Sequence, residues 1–436
     1  MTKLYAKDLM NYYETKIEFQ GFLEKVRDLP YVMFLILRDG TGKVQVTIEK
    51  QEKNQDLISQ MQHVGLESTL CVHGILKEAP SVKMGGMEII PERIDITSSS
   101  LPELPFDYNK KDNSLRETRL DYRFIDLRRK ENHLLFQAAT LLEHSLREYC
   151  VQHDFMEIHS PKISGAAAES GAEVFSFDYF GTTAYLSQSP QFYKQMAMAA
   201  GFDKVYEIGP AFRAENSHTS YHATEINMAD VEISWIKHFE EVMDFEEAWL
   251  KYAISKVYEK YGYVMEQEKI SLTNLDVPFA KMTFQEAKSV LKEHFHYVGE
   301  KEEDLDRKEE NLLCKYAKQH YKTEFIFITH FPFAARPFYH MLDENGNTCS
   351  YDLLFRGIEI TTGAQREHRL DILKQQILEK KISLESLDFY LDFFSYGMPP
   401  HGGFAIGLNR LLMLLFELDN IREATYIYRG PTRLNP

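Results

Sequence analysis

The chain has 436 residues, too many for one hydrophobic core, so two or three domains are expected. Hydrophobic residues make up 44% and aromatic residues 13%, which excludes an intrinsically disordered chain. The formal charge of −16 excludes a protein that coats nucleic acid or membrane through bulk charge, but leaves room for a local basic or aromatic patch.

The opening stretch, MTKLYAKDLMNYYETK, has no apolar core of signal-peptide length. Residues 17–27, 32–40 and 42–50 (IEFQGFLEKVR, VMFLILRDG, GKVQVTIEK) read as strands, with DGTG as the turn between the last two. A helical stretch, NQDLISQMQHVG, comes before two more strands in STLCVHGILKEA and MEIIPERIDITS. Five strands with a helix between the third and fourth predict an OB-fold β-barrel over 1–100. Such a barrel holds single-stranded nucleic acid by stacking bases on aromatic rings. Residues 101–122, with Ser, Pro and mixed charge, read as a linker or hinge.

A second, α+β domain is expected over 123–436. An apolar stripe predicts a helix over about 130–153, and strands and loops alternate from 155 to 232. Charged helices follow over 238–262 and 283–320, then strands over 349–362 and a helix near 367–380. A glycine-rich break at 397–403 precedes a closing helix from about 407. No GxGxxG follows a strand and no GxxxxGK[ST] occurs, so an antiparallel sheet flanked by helices fits better than a Rossmann fold. The longest aliphatic–aromatic run near the C-terminus, LLMLLF, is far too short to span a bilayer. Cys71, Cys150, Cys314 and Cys349 lie far apart, without zinc-type spacing. A reduced, cytoplasmic compartment and no membrane partner are expected.

Four stretches can carry chemistry. GPAFRAENSHTSYH (209–222) is either a hairpin with a salt bridge at its neck or a nucleotide clamp, with Arg213 on a phosphate and Glu215 accepting from an exocyclic amine. YLSQSPQFYKQ (185–195) spaces Gln188, Gln191 and Lys194 along one helix face, or is simply a polar helix start with Ser189 as N-cap and Pro190 at N1. YDLLFRGIEITTGAQREH (351–368) offers Asp352, Glu359 and Thr362 as hard ligands for Mg²⁺, with Arg366 beyond a tight Gly363. HGGFAIGLNRLLMLLF (401–416) runs from a glycine-rich turn into a helix that carries Arg410 early.

Together these stretches resemble the class II aminoacyl-tRNA synthetases. HDFMEIHSPKIS (153–164) looks like motif 1, FRAENSHTSYH like motif 2 and GFAIGLNR like motif 3. The N-terminal barrel, QSPQFYKQ, RPFY, GAQR and the C-terminal PTRLNP are similar to the aspartyl/asparaginyl subclass of archaeal and eukaryotic type. The resemblance implies ATP-dependent activation of L-aspartate and its transfer to tRNA-Asp, with tRNA-Asn a further acceptor, by a homodimer that uses ATP and Mg²⁺. Arg213 would hold the α-phosphate, Arg410 the γ-phosphate and His222 the β/γ region, with Glu215 on adenine. Glu359, Thr362 and Asp352 would hold Mg²⁺. Lys194 and Arg366 would grip the aspartate β-carboxylate, with Gln191 and Asp230 completing the network and Glu169 on the α-amino group. In the barrel, Phe34 would stack on the middle anticodon base, Gln45 would read its edge and Arg27 would contact the backbone.

The chain departs from the family pattern in places. Tyr221 stands where the motif 2 loop usually has arginine, Ser170 replaces a loop glycine, and Asn409 replaces the acid before the motif 3 arginine. No aromatic residue stands near Ile226, and Pro30 and Tyr31 replace a glycine pair. Three other readings stay open: an asparagine enzyme, a relative that activates aspartate for a non-tRNA acceptor, and a catalytically silent RNA-binding regulator.

Overall fold

Five strands alternate inward apolar and outward polar residues, and this pattern closes them into a barrel. They are β1 (Lys16–Asp28), β2 (Val32–Arg38), β3 (Lys43–Glu49), β4 (Thr69–Glu78) and β5 (Met87–Ser98), in the order β1-β2-β3-β5-β4. Met33, Leu35, Leu37, Val44, Val46 and Ile48 fill the interior. Closure leaves no strand edge exposed. The helix Gln55–Met61 lies between β3 and β4, as the sequence order predicts, and buries Ile58 and Met61. On the outer face Cys71, His73 and Glu18 come together, which their spacing did not suggest. The Arg93 guanidinium sits 2.8 Å from His73 Nε2, where a cation would bind.

The protein is described by a computed structural model over residues 3–107, 116–165, 174–217 and 219–435. It divides into two units, Met1–Arg129 and Lys130–Pro436. The first contains the barrel together with the short helices Arg116–Asp121 and Arg123–Asp126.

The second unit is built on an eight-stranded sheet, counted over the described residues. Its strands are β6 (Met156–Glu157), β10 (Lys204–Phe212), β11 (Glu225–Ser234), β12 (Ala280–Thr283), β13 (Phe325–Thr329), β14 (Ser350–Phe355), β15 (Ile358–Arg366) and β16 (His401–Gly407). The order is β12-β13-β14-β15-β16-β11-β10-β6. The six middle strands are antiparallel, but both edge pairs are parallel, so the sheet is mixed. A small separate sheet joins β7 (Ile163–Ser164), β8 (Ser176–Tyr179) and β9 (Thr182–Leu186). One face of the large sheet packs Val231, Phe404 and Ile406 against the helices Lys130–Gln152 and Glu240–Gln267.

Three expectations need correction. The stretch 283–320 is two helices, Phe284–Phe295 and Arg307–His320. His296 turns left-handed (φ 52°) and ends the first, and Asp306 opens the second with a capping box. The glycine-rich 401–403 is no turn but the start of β16, in the centre of the sheet. A Cβ on Gly403 would stand 2.1 Å from the Val231 carbonyl oxygen, so glycine permits close strand pairing here. Gly363 is likewise mid-strand: its missing Cβ makes room for the Tyr351 ring, and Arg366 continues the same strand.

Candidate active site

The open face of the large sheet has a floor of small residues between two rows of charge. Residues opposite each other in an antiparallel pair project to the same face. Asp230 and Glu232 of β11 pair with Ala405 and Gly403 of β16, which pair in turn with Thr362 and Ala364 of β15. Carboxylates therefore line one side of a shallow trough and Thr362 and Arg366 the other. A bulge between Leu353/Leu354 of β14 and Thr361/Glu359 of β15 resets the alternation. It lets Glu359 face Thr362, whose hydroxyl donates to Glu359 Oε1 at 3.1 Å.

At one end, Arg213, Tyr221, Ile226, Met228, Glu359, Thr362, Gly407, Asn409 and Arg410 line a single pocket. The helix Leu408–Leu415 starts at the pocket wall, with Gly407 at its N-cap. The Arg410 guanidinium donates to the Glu359 carbonyl oxygen at 2.6 Å. Burial holds Arg410 below the usual arginine range, opposed by Glu359 and reinforced by the nearby Arg307 and Arg213. Among the described residues, neither Arg213 nor Arg410 forms a side-chain ion pair. His222 Nδ1 is hydrogen-bonded to the Thr219 hydroxyl, and its Nε2 lies 4.0 Å from Glu215. Burial, then the positive field of Arg410, lowers its pKa. The departure Asn409 has structural work: its side chain accepts from Asn227 N at 3.0 Å and donates to Ala424 O at 3.2 Å.

Asp352, Glu359 and Thr362 come together as a cluster of oxygen ligands, the single Thr362 hydroxyl proton being shared between Glu359 Oε1 and Asp352 Oδ1, the latter at 2.9 Å. Asp352 is buried and bonded at both oxygens by Arg336 (2.9 and 2.5 Å). Burial, with Glu359 beside it and against the pull of Arg336, pushes Asp352 up to about 7. A carboxylate pushed up by burial and by a second carboxylate beside it suits a divalent cation.

At the other end, Lys194 and Arg366 converge on Glu232. Lys194 is fully buried, 3.0 Å from Asp230 and 3.4 Å from Glu232, and Arg366 bonds Glu232 at 2.9 and 3.3 Å. Burial raises Asp230, whereas Arg366 and Lys194 outweigh burial and lower Glu232. The helix carrying Lys194 begins at Gln191, with Pro190 at the N-cap, so Gln188 lies outside it. The Ser189 hydroxyl accepts from the Gln191 amide at 3.1 Å. Gln191 donates to Gln195 Oε1, which also accepts from Tyr390 (3.0 Å), while Gln195 Nε2 lies 2.9 Å from His401 Nε2. His401 Nδ1 faces the Pro399 carbonyl at 2.8 Å, which requires the proton there and leaves Nε2 to accept from Gln195. Burial keeps His401 neutral, with its pKa near 4. Glu169 and Ser170 lie outside the described residues.

Sequence reasoning missed Glu232, Arg336, Gln195 and His401. The signal for Glu232 was present: MADVEIS puts two acids two residues apart in an apolar strand, and buried strand carboxylates need partners. In the barrel, Arg27, Phe34 and Gln45 line one open cavity on the outer face. Phe34 is half-buried, outside the barrel core, and pairs in register with Arg27.

A mixed sheet with this motif order, in a chain that also carries an OB barrel, defines a class of protein. The chain belongs to the class II tRNA synthetases (D, K and N), whose family model matches residues 115–428, and an OB-fold nucleic acid binding domain matches 17–97. It is 41% identical to an aspartate–tRNA(Asp/Asn) ligase of Methanopyrus kandleri, over 97% of this chain and 96% of that one. It is 40% identical to an aspartate–tRNA(Asp) ligase of Pyrococcus abyssi, with the same coverage. Among solved structures it resembles the asparaginyl-tRNA synthetase of Pyrococcus horikoshii complexed with asparaginyl-adenylate, at TM-score 0.93 and 29% identity, covering all of both chains.

Proposed function

We propose that the chain is an aspartate–tRNA ligase: it uses ATP to form aspartyl-adenylate and pyrophosphate, then transfers the aspartyl group to the terminal ribose of tRNA. The Lys194–Arg366–Glu232 cluster carries this reading. Two buried cations, Lys194 and Arg366, meet at Glu232, and a guanidinium beside an ammonium suits a substrate β-carboxylate better than an uncharged amide.

Arg213 and Arg410 would orient the triphosphate and neutralise charge as the aspartate carboxylate attacks the α-phosphate. His222 would assist at the β/γ-phosphates and Glu215 would hold the adenine amine. Glu359 and Thr362, backed by Asp352, would hold Mg²⁺, which screens phosphate charge when bound. Glu169 would reach the α-amino group. The barrel residues Phe34, Gln45 and Arg27 would read the anticodon, which favours a tRNA acceptor over a small one. The half-exposed Met156 and Ile163 of motif 1, together with the position of β6 at the end of the large sheet among the described residues, support a homodimer of twice the 51.0 kDa chain mass. A cytoplasmic location fits that role, and among the described residues no helix is long and apolar enough to cross a membrane. The deciding experiment is pyrophosphate exchange with each of the twenty amino acids, followed by charging of separate tRNA-Asp and tRNA-Asn transcripts. Aspartate alone should drive exchange; robust exchange with asparagine would reassign the substrate.

A further inference from the structure

The motif 2 loop lacks an arginine at Tyr221, yet the structure brings a guanidinium to that place from another element. Arg307 opens the helix Arg307–His320, some 86 residues further along the chain, and its guanidinium carbon lies 4.1 Å from the centroid of the Tyr221 ring. Tyr221 itself lines the pocket with Arg213, Glu359 and Arg410. A guanidinium set over an aromatic ring is held there by cation–π attraction, and those of its N–H donors not bonded elsewhere can turn toward a ligand.

The mounting is anchored from behind. Arg307 Nη1 bonds Glu310 at 2.7 Å, and the same Glu310 oxygen accepts from the Glu359 amide at 3.0 Å. Arg307 and β15 are thus fastened at one carboxylate. The Arg307 side chain is still 41% exposed, so a ligand can reach it. Its positive field extends over the pocket, helping to lower both His222 and Arg410.

We propose that Arg307, mounted on Tyr221, binds the terminal phosphates of ATP and takes the place of the motif 2 loop arginine. This rests on the nucleotide half of the reading above, not on which amino acid is activated. Tyr221 is then a positioning residue and Arg307 a substrate-binding one.

Equilibrium binding of Mg·ATP and of AMP tests this without reference to aspartate. In Arg307→Ala, ATP affinity should fall about tenfold or more, the loss of a charge-assisted hydrogen bond, while AMP affinity stays level. Tyr221→Ala should give a similar ATP defect, and the double alanine variant should be no worse than either. Tyr221→Arg combined with Arg307→Ala should restore ATP binding, an outcome that a merely structural role for Arg307 would not give. Thermal melts confirm folding of each variant. Unchanged ATP affinity in Arg307→Ala, an equal loss for AMP, or failure of the parent to bind ATP would each overturn the proposal. Normal ATP binding without aspartate-dependent exchange would instead overturn only the amino-acid assignment.

Discussion

Arg366 cannot be removed alone without consequence, because Glu232 beneath it is fully buried. Breaking one side of a buried pair costs about 3–5 kcal/mol, so Arg366→Leu should lower stability as well as activity. Arg366→Leu with Glu232→Gln removes that penalty. The double variant should melt near the parent, lose aspartate-dependent exchange by at least about a hundredfold and still bind ATP through Arg213 and Arg410. Melting curves, exchange assays and nucleotide titration check the three parts. Glu246 gives a second test at this scale. It is fully buried, accepts from the Tyr351 hydroxyl at 2.7 Å and is pushed by burial up to about 8. Its folded pKa lies above its unfolded one, so its contribution to stability is full below pH about 4.5 and lost as pH rises toward about 8. Glu246→Gln keeps an acceptor but cannot ionise. The stability of the parent relative to the variant should fall by up to about 1.4 kcal/mol per pH unit across that window and level off above it, as read from denaturant melts from pH 4.5 to 9.

At the scale of the element, β16 decides whether the trough exists. Gly403→Ala would drive a methyl into the Val231 carbonyl (2.1 Å) and Glu232 (2.3 Å), and neither backbone nor ion-paired carboxylate has room to yield. Overpacking of this kind costs about 1–3 kcal/mol, and the substitution should lower the melting temperature and aspartate exchange together. Gly407→Ala meets only Arg410 Cβ at 3.7 Å and should fold normally, which a parallel melt would show. This element also marks where the sequence was hard to read. The glycines of HGGFAIG imply a turn when local signals alone are weighed, yet their cause is a close approach to β11, over a hundred residues away, and to β15, on the far side of the intervening segment 367–400. The barrel strands were legible because each alternates in its own sequence. The Arg213, Lys194 and Arg410 stretches were legible as motifs, but Glu232 and His401 act through partners distant in sequence, and no local pattern marks such pairs.

At the scale of the whole molecule, the barrel and the sheet are separate units, so the two halves of the proposed reaction should separate by mutation. Phe34→Ala should weaken tRNA binding by about 1–3 kcal/mol, one lost base stack, and leave pyrophosphate exchange unchanged. Charging and exchange measured on the same preparation check this. A fall in both would make Phe34 a structural residue of the barrel. One member of the oxygen-donor cluster at one end of the trough, Glu359 with Thr362, and one member of the cation pair at the other, Arg366, share one strand. Thr362 and Arg366 are four residues apart on β15, so the backbone alone sets their separation at about 13 Å. The strand therefore works as a fixed gauge. On the proposed reading, a substrate longer by one methylene, glutamate in place of aspartate, would have the right charge but overshoot, seating its side chain or its reacting carboxylate but not both. Length, more than charge, would then exclude glutamate, at a discrimination of roughly 10–200-fold in kcat/KM.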